Sequence, residues 1–76
     1  HFSIAAITRL KSQNWRWPEP VELDEDNAYY QVTSETANRM ANWLLGFSDA
    51  MIETNPKSSE YCYKLAKEIT KTVNPT

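Results

Sequence analysis

The chain has 76 residues, of which 41% are hydrophobic and 24% charged, and it carries a net charge of −2 with one Cys and one Gly. A chain this short has room for one modest core, so we expect a single small domain over residues 1–76. One Cys excludes an internal disulfide framework, and one Cys with one His leaves no zinc site of the usual kind. The chain contains no run of about 20 apolar residues that would cross a membrane. We therefore expect a cytoplasmic protein without a cofactor or metal.

The first predicted element is a helix over about residues 3–13. Ile4, Ile7 and Leu10 recur at three-residue spacing, which is typical of one helix face. The same residues also suit a strand, so the choice between helix and strand stays open. A connector over about residues 14–20 follows, because Pro18 and Pro20 remove backbone donors and favour extended backbone.

An antiparallel hairpin is predicted over about residues 21–33. Val21 and Leu23 alternate with acidic residues, Tyr30 and Val32 alternate with polar or aromatic ones, and the turn-forming run Asp24–Asn27 lies between them. The pattern predicts that Val21, Leu23, Tyr30 and Val32 share the buried face. A two-stranded hairpin is marginal by itself, so helices must cover that face.

Two further helices are predicted over about residues 35–53 and 56–73. Hydroxyl residues at Thr33 and Ser34 start the first, and Asn55 with Pro56 starts the second. Gly46 in the middle of the first predicts a close helix crossing, a bend or an early helix end.

The predicted fold is therefore a small α+β domain in the order α-β-β-α-α, with the hairpin covered by helices. The core is expected to contain some of the tryptophans and the following residues: Ile4, Ile7, Leu10, Val21, Leu23, Tyr30, Val32, Ala37, Met40, Ala41, Leu44, Leu45, Phe47, Met51, Leu65 and Ile69.

Charge is unevenly distributed along the chain. Residues 1–18 hold three basic and no acidic side chains, whereas residues 19–35 hold six acidic and no basic ones. One interpretation is a solvated turn whose charges discourage edge pairing between molecules. Another is a negative surface that docks on a basic partner. A calcium loop is disfavoured, because the run lacks the ligand spacing and the glycine of an EF-hand.

Aromatic residues concentrate near the connector. One interpretation is that these aromatics, Trp15, Trp17 and Tyr29, fill a small core. The other is that they bind a partner together with Arg16, because Trp, Tyr and Arg are the residue types most common at interface hot spots. Cys62 falls on the apolar stripe of the last helix without a neighbouring base, so we predict a core residue and no enzyme activity.

The leading hypothesis is a non-catalytic protein-binding module, an inhibitor or adaptor that presents the acidic hairpin and nearby aromatics to a basic or nucleic-acid-binding protein partner. Its specific form is an inhibitor of phage or mobile-element type that mimics nucleic-acid charge. The candidate contact residues are Trp15, Arg16, Trp17, Glu22, Asp24, Glu25, Asp26 and Tyr29.

Two alternatives remain. One is weak nucleic-acid binding through the four lysines of the last helix and the basic N-terminal segment, which the net charge disfavours. The other is a homodimer formed through the wide apolar arc of the helix predicted at about 35–53.

Overall fold

Three antiparallel strands form one sheet, and two helices pack against one of its faces. The computed structural model describes residues 1–8 and 16–74. Its elements are β1 (Phe2–Ile7), β2 (Glu22–Leu23), β3 (Asn27–Val32), α1 (Ser34–Ala50) and α2 (Pro56–Val73). The strand order across the sheet is β1-β3-β2. The α+β class is therefore confirmed, but the observed order is β-β-β-α-α and the sheet has three strands, not two.

The helix predicted at about 3–13 is wrong where the structure describes it, because Phe2–Ile7 is a strand. Ile4 and Ala6 are buried and alternate with exposed small residues, which is the two-residue period of a half-buried strand. Ile4 lies opposite Tyr30 in β3, so pairing with a distant strand decides between the two structures that the local pattern allowed. Residues 9–13 of this prediction lie outside the described residues.

The predicted hairpin exists, but β2 is only two residues long. Tyr30 and Val32 are buried as predicted, whereas Val21 and Leu23 are 62% and 64% exposed, so their predicted burial is wrong. Pro20 has no N–H to donate, and the turn begins at once after Leu23, which keeps β2 short. The helices pack mainly against β1 and β3 and leave this edge of the sheet uncovered.

Both helix starts agree with the sequence. The Thr33 side chain accepts a hydrogen bond from the Thr36 N–H at 3.3 Å, and the Asn55 side chain accepts one from the Ser58 N–H at 3.3 Å. Each interaction satisfies one donor that the first helical turn leaves without a partner. The first helix ends at Ala50, about three residues before its predicted end, and the second has its predicted bounds.

The core lies between the sheet and the helices. Its buried apolar residues are Ile4, Ala6, Ala28, Tyr30, Val32, Ala37, Met40, Ala41, Leu44, Cys62, Ala66 and Ile69. Of the residues predicted to be in the core, Ile7, Phe47, Met51 and Leu65 are half-buried at its margin, and Leu45 is 40% exposed. Leu10 lies outside the described residues.

Gly46 lies on the exposed face of α1, which continues past it, so the predicted close crossing and early helix end are wrong. A Cβ added at this position would meet nothing within 4 Å. We expect Gly46→Ala to raise the free energy of unfolding by about 0.5–1 kcal/mol, because alanine loses less backbone entropy on helix formation. Urea denaturation monitored by circular dichroism measures the change. A loss of stability would show that residue 46 lies against other groups.

Candidate protein-binding site

The turn between β2 and β3 holds a group of carboxylates in a fixed loop. The Asp24 N–H donates to the Asn27 carbonyl at 2.8 Å, and the Glu25 N–H donates to the Asp24 carboxylate at 2.7 Å. The Thr8 N–H donates to the Asp26 carbonyl at 3.0 Å, which ties the turn to the end of β1. These bonds occupy mostly backbone atoms, so the carboxylates remain directed to solvent.

Two apolar side chains accompany these carboxylates on the same edge of the sheet. Val21 and Leu23 are among the most exposed large apolar residues in the described part of the chain. Leu23 lies opposite buried Ala28 in the strand register, so its side chain is on the sheet face against which the helices pack. It is nevertheless exposed, because the helices do not cover this part of the face. We call the exposed set Val21, Glu22, Leu23, Asp24, Glu25 and Asp26 the acidic edge.

The acidic edge is not neutralised by ion pairs among the described residues. The described residues form two salt bridges, and each lies within a single helix. One joins Arg39 to Glu35 in α1, and the other joins Lys64 to Glu60 in α2. The hydrogen bond from Lys64, together with its charge, lowers the pKa of Glu60. Within residues 1–8 and 16–74, the carboxylates of the acidic edge therefore have no cation paired with them.

Tyr29 extends the site onto the sheet face that the helices do not cover. It is half-buried between Ala5 of β1 and Glu22 of β2, its neighbours in the strand register. A shallow depression of about 300 Å³ lies here, lined also by Ser3 and Gln31. Tyr29 and Glu22 therefore line the same depression.

The structure separates Trp17, another of the predicted aromatic residues, from this surface. Trp17 stacks on Tyr30 with ring centroids 5.7 Å apart and meets Trp43 edge-on at 5.1 Å, and Trp43 stacks on Phe47 at 4.9 Å. Burial raises the pKa of Tyr30 in this cluster. Trp17 therefore packs the connector onto the core, while Arg16 before it is exposed. Trp15 lies outside the described residues.

Val21 and Leu23 are the site residues that the sequence reasoning missed. Their alternation with Glu22 and Asp24 is typical of a strand with one buried face, so it predicts burial of both side chains. The available signal was the pair of prolines just before them, which indicates an edge strand.

Cys62 has the surroundings of a structural residue. Its side chain is fully buried between the helices and the sheet, and burial raises the pKa of the thiol, which keeps it neutral near pH 7. Among the residues that the structure describes, no group of three or more His, Cys, Asp or Glu side chains is placed to hold a metal ion. Neither of the two helices described is long and apolar enough to cross a membrane.

Comparisons with family models, with curated proteins and with solved structures each found no significant match to this chain.

Proposed function

We propose that this protein is a non-catalytic protein-binding module, and that its acidic edge docks on a basic surface of a protein partner. The observation that carries the proposal is the combination of two large exposed apolar side chains, Val21 and Leu23, with four carboxylates on one short strand and its turn. Exposed apolar groups surrounded by charge are the usual composition of a docking site.

The two components of the acidic edge have different roles in this proposal. The carboxylates attract a positively charged partner over distance and raise the association rate. Val21 and Leu23 are then removed from water in the complex, which slows dissociation. Inhibition by mimicry of nucleic-acid charge is one form of this function, since such a partner carries a basic binding surface.

The alternatives have less support. Of the four lysines in α2, Lys64 is paired with Glu60 at 2.8 Å and Lys67 lies 5.5 Å from the centre of the Tyr63 ring, so a continuous basic face is interrupted. A homodimer through α1 would use Leu45 and its neighbours, but most of the apolar arc of that helix faces the core.

The test compares charge reversal at the acidic edge with the same change elsewhere. The variant at the acidic edge is Asp24→Lys/Asp26→Lys, and the control is Asp49→Lys/Glu53→Lys. Both variants change the net charge by the same amount, and all four positions are exposed. Proteins cross-linked to the wild type in a lysate of its own host cells are identified, and binding of each purified candidate is measured across a salt series. We expect the first variant alone to slow association by roughly tenfold or more at low salt. Equal rates for both variants would contradict the proposal.

The apolar part is tested with Leu23→Ser and the control Ile52→Ser. Ile52 is 56% exposed and follows the C-terminal end of α1, so it is not a member of the acidic edge. We expect Leu23→Ser to raise the dissociation rate of the same complex by roughly tenfold, as the loss of about 1.5 kcal/mol of apolar burial implies. An unchanged rate would remove Leu23 from the contact.

A further inference from the structure

The opposite edge of the sheet is formed by β1. In an antiparallel pair, alternate residues direct their backbone groups to the partner strand and away from it. The Thr8 N–H donates to the Asp26 carbonyl, so the even-numbered residues of β1 direct their backbone groups toward β3. The Ile7 N–H donates to the Tyr61 hydroxyl at 3.2 Å, on the other side of the strand. It follows that the N–H and C=O groups of Ser3 and Ala5 point away from β3.

A groove with both apolar and polar lining runs beside these backbone groups, between β1 and the C-terminal half of α2. It has a volume of about 320 Å³. Its principal lining residues are Phe2, Ile4, Leu65, Glu68, Ile69 and Val73. Glu68 is the one charged member of the lining, and among the described residues no cation lies within salt-bridge distance of it.

The two edges of the sheet differ in how they resist pairing with another chain. Natural edge strands are commonly protected by shortness, charge or proline. β2 has all three, since it is two residues long and is flanked by Pro20 and by acidic residues. β1 has six residues without charge or proline, and in the part of the chain that the structure describes its outer edge is hydrogen-bonded at Ile7, to the Tyr61 hydroxyl.

We propose that the free edge of β1 binds an extended polypeptide segment of a partner as a fourth strand. Backbone groups of Ser3 and Ala5 pair with the segment, an apolar side chain of the segment enters the groove, and a lysine or arginine lies beside Glu68. Such strand addition obtains affinity from the backbone and specificity from the pockets for alternate side chains. This inference does not depend on the proposed function, because the acidic edge lies at the other side of the sheet.

Charge favours a foreign segment over a second copy of this chain. α2 runs opposite to β1, with Tyr61 near Ile7 and Val73 near Phe2, so Glu68 lies beside the middle of the strand. A two-fold pairing of β1 with itself centred on Ile4 would bring the two Glu68 carboxylates toward each other. β1 also supplies no cation between Phe2 and Ile7 to pair with Glu68.

The probe is a displayed library of random ten-residue peptides, selected on the whole protein and on Glu68→Lys, followed by fluorescence polarisation with synthetic copies of the enriched sequences. We expect the wild type to enrich alternating apolar sequences with a lysine or arginine on the groove side. Glu68→Lys, an exposed position, is expected to enrich acidic residues there instead. Failure to enrich any sequence, or the same charge preference for both proteins, would overturn the proposal.

Ala5→Pro tests the backbone contact. Proline at this position removes an N–H that points away from β3, so the β1–β3 pairing is retained and circular dichroism confirms the fold. We expect the variant to bind the enriched peptides at least tenfold more weakly, while Ile52→Ser binds them as the wild type does. Unchanged binding by Ala5→Pro would refute strand addition. A wild-type dimer in sedimentation that Ala5→Pro abolishes would assign the edge to a second copy instead.

Discussion

Leu44→Ala is expected to lower the free energy of unfolding by about 2–5 kcal/mol. Leu44 is one of the largest fully buried side chains in the described part of the chain. It lies on the core face of α1, so its removal exposes no side chain to water and leaves a cavity among well-packed neighbours. Because a small domain changes its melting temperature by about 4–8 °C for each kcal/mol, we expect a fall of more than about 8 °C.

Leu45→Ala is the matched control for this prediction. The two leucines are adjacent in α1, and both substitutions have the same effect on helix propensity, but Leu45 is 40% exposed. We expect the control to lose less than about 1 kcal/mol, since part of the side chain is already in water. Thermal and urea denaturation measure both variants. Equal losses would show that α1 is rotated relative to the orientation described here.

Ser59→Val is expected to lower the free energy of unfolding by about 2–4 kcal/mol, because it removes a hydrogen bond and overfills a helix contact. The Ser59 hydroxyl donates to the Ser48 carbonyl at 2.6 Å, and the Ser48 hydroxyl donates to the Ser59 carbonyl at 2.7 Å. Both residues are buried, and their hydroxyl oxygens are 3.0 Å apart. A valine methyl group in place of the Ser59 hydroxyl would lie too close to the Ser48 carbonyl oxygen, which is 2.6 Å from that hydroxyl.

Ser58→Val is the control, since it makes the same change in the same helical turn at a half-buried position. We expect it to lose less than about 1 kcal/mol, which reflects mainly the lower helix propensity of valine. Urea denaturation of Ser48→Ala, Ser59→Ala and the double variant then isolates the interaction between the two serines. Strictly additive losses would contradict the reciprocal contact.

The site was predictable in part. The exposure of the carboxylates from Glu22 to Asp26 is predictable from these residues alone, because charged side chains favour water and the residue types of this run favour a turn. The anchoring role considered for Trp17 depended on whether its ring had partners, and these are Tyr30 and Trp43, which are distant in sequence. The exposure of Leu23 depended on how far the helices extend across the sheet, and no pattern within residues 21–24 carries that information.

The reciprocal serine contact shows the same dependence on distant groups. The core predicted from the sequence includes Phe47, the hydrophobic residue, and not its neighbour Ser48. The structure buries Ser48 and leaves Phe47 half-buried, because the second helix brings Ser59 to hydrogen-bond with it. Burial of a polar group is acceptable only when such a partner is present.

The sequence by itself determined the features of this protein that arise within a few residues. The caps at Thr33 and Asn55, the bounds of α2 and the acidic turn all depend on near neighbours. The tertiary structure alone decided that residues 2–7 form a strand, that β3 lies between β1 and β2, and that β1 and β2 are the edge strands of the sheet. The physical reason is that strand pairing and helix coverage join residues far apart in the chain, so the two candidate binding edges exist only in the folded sheet.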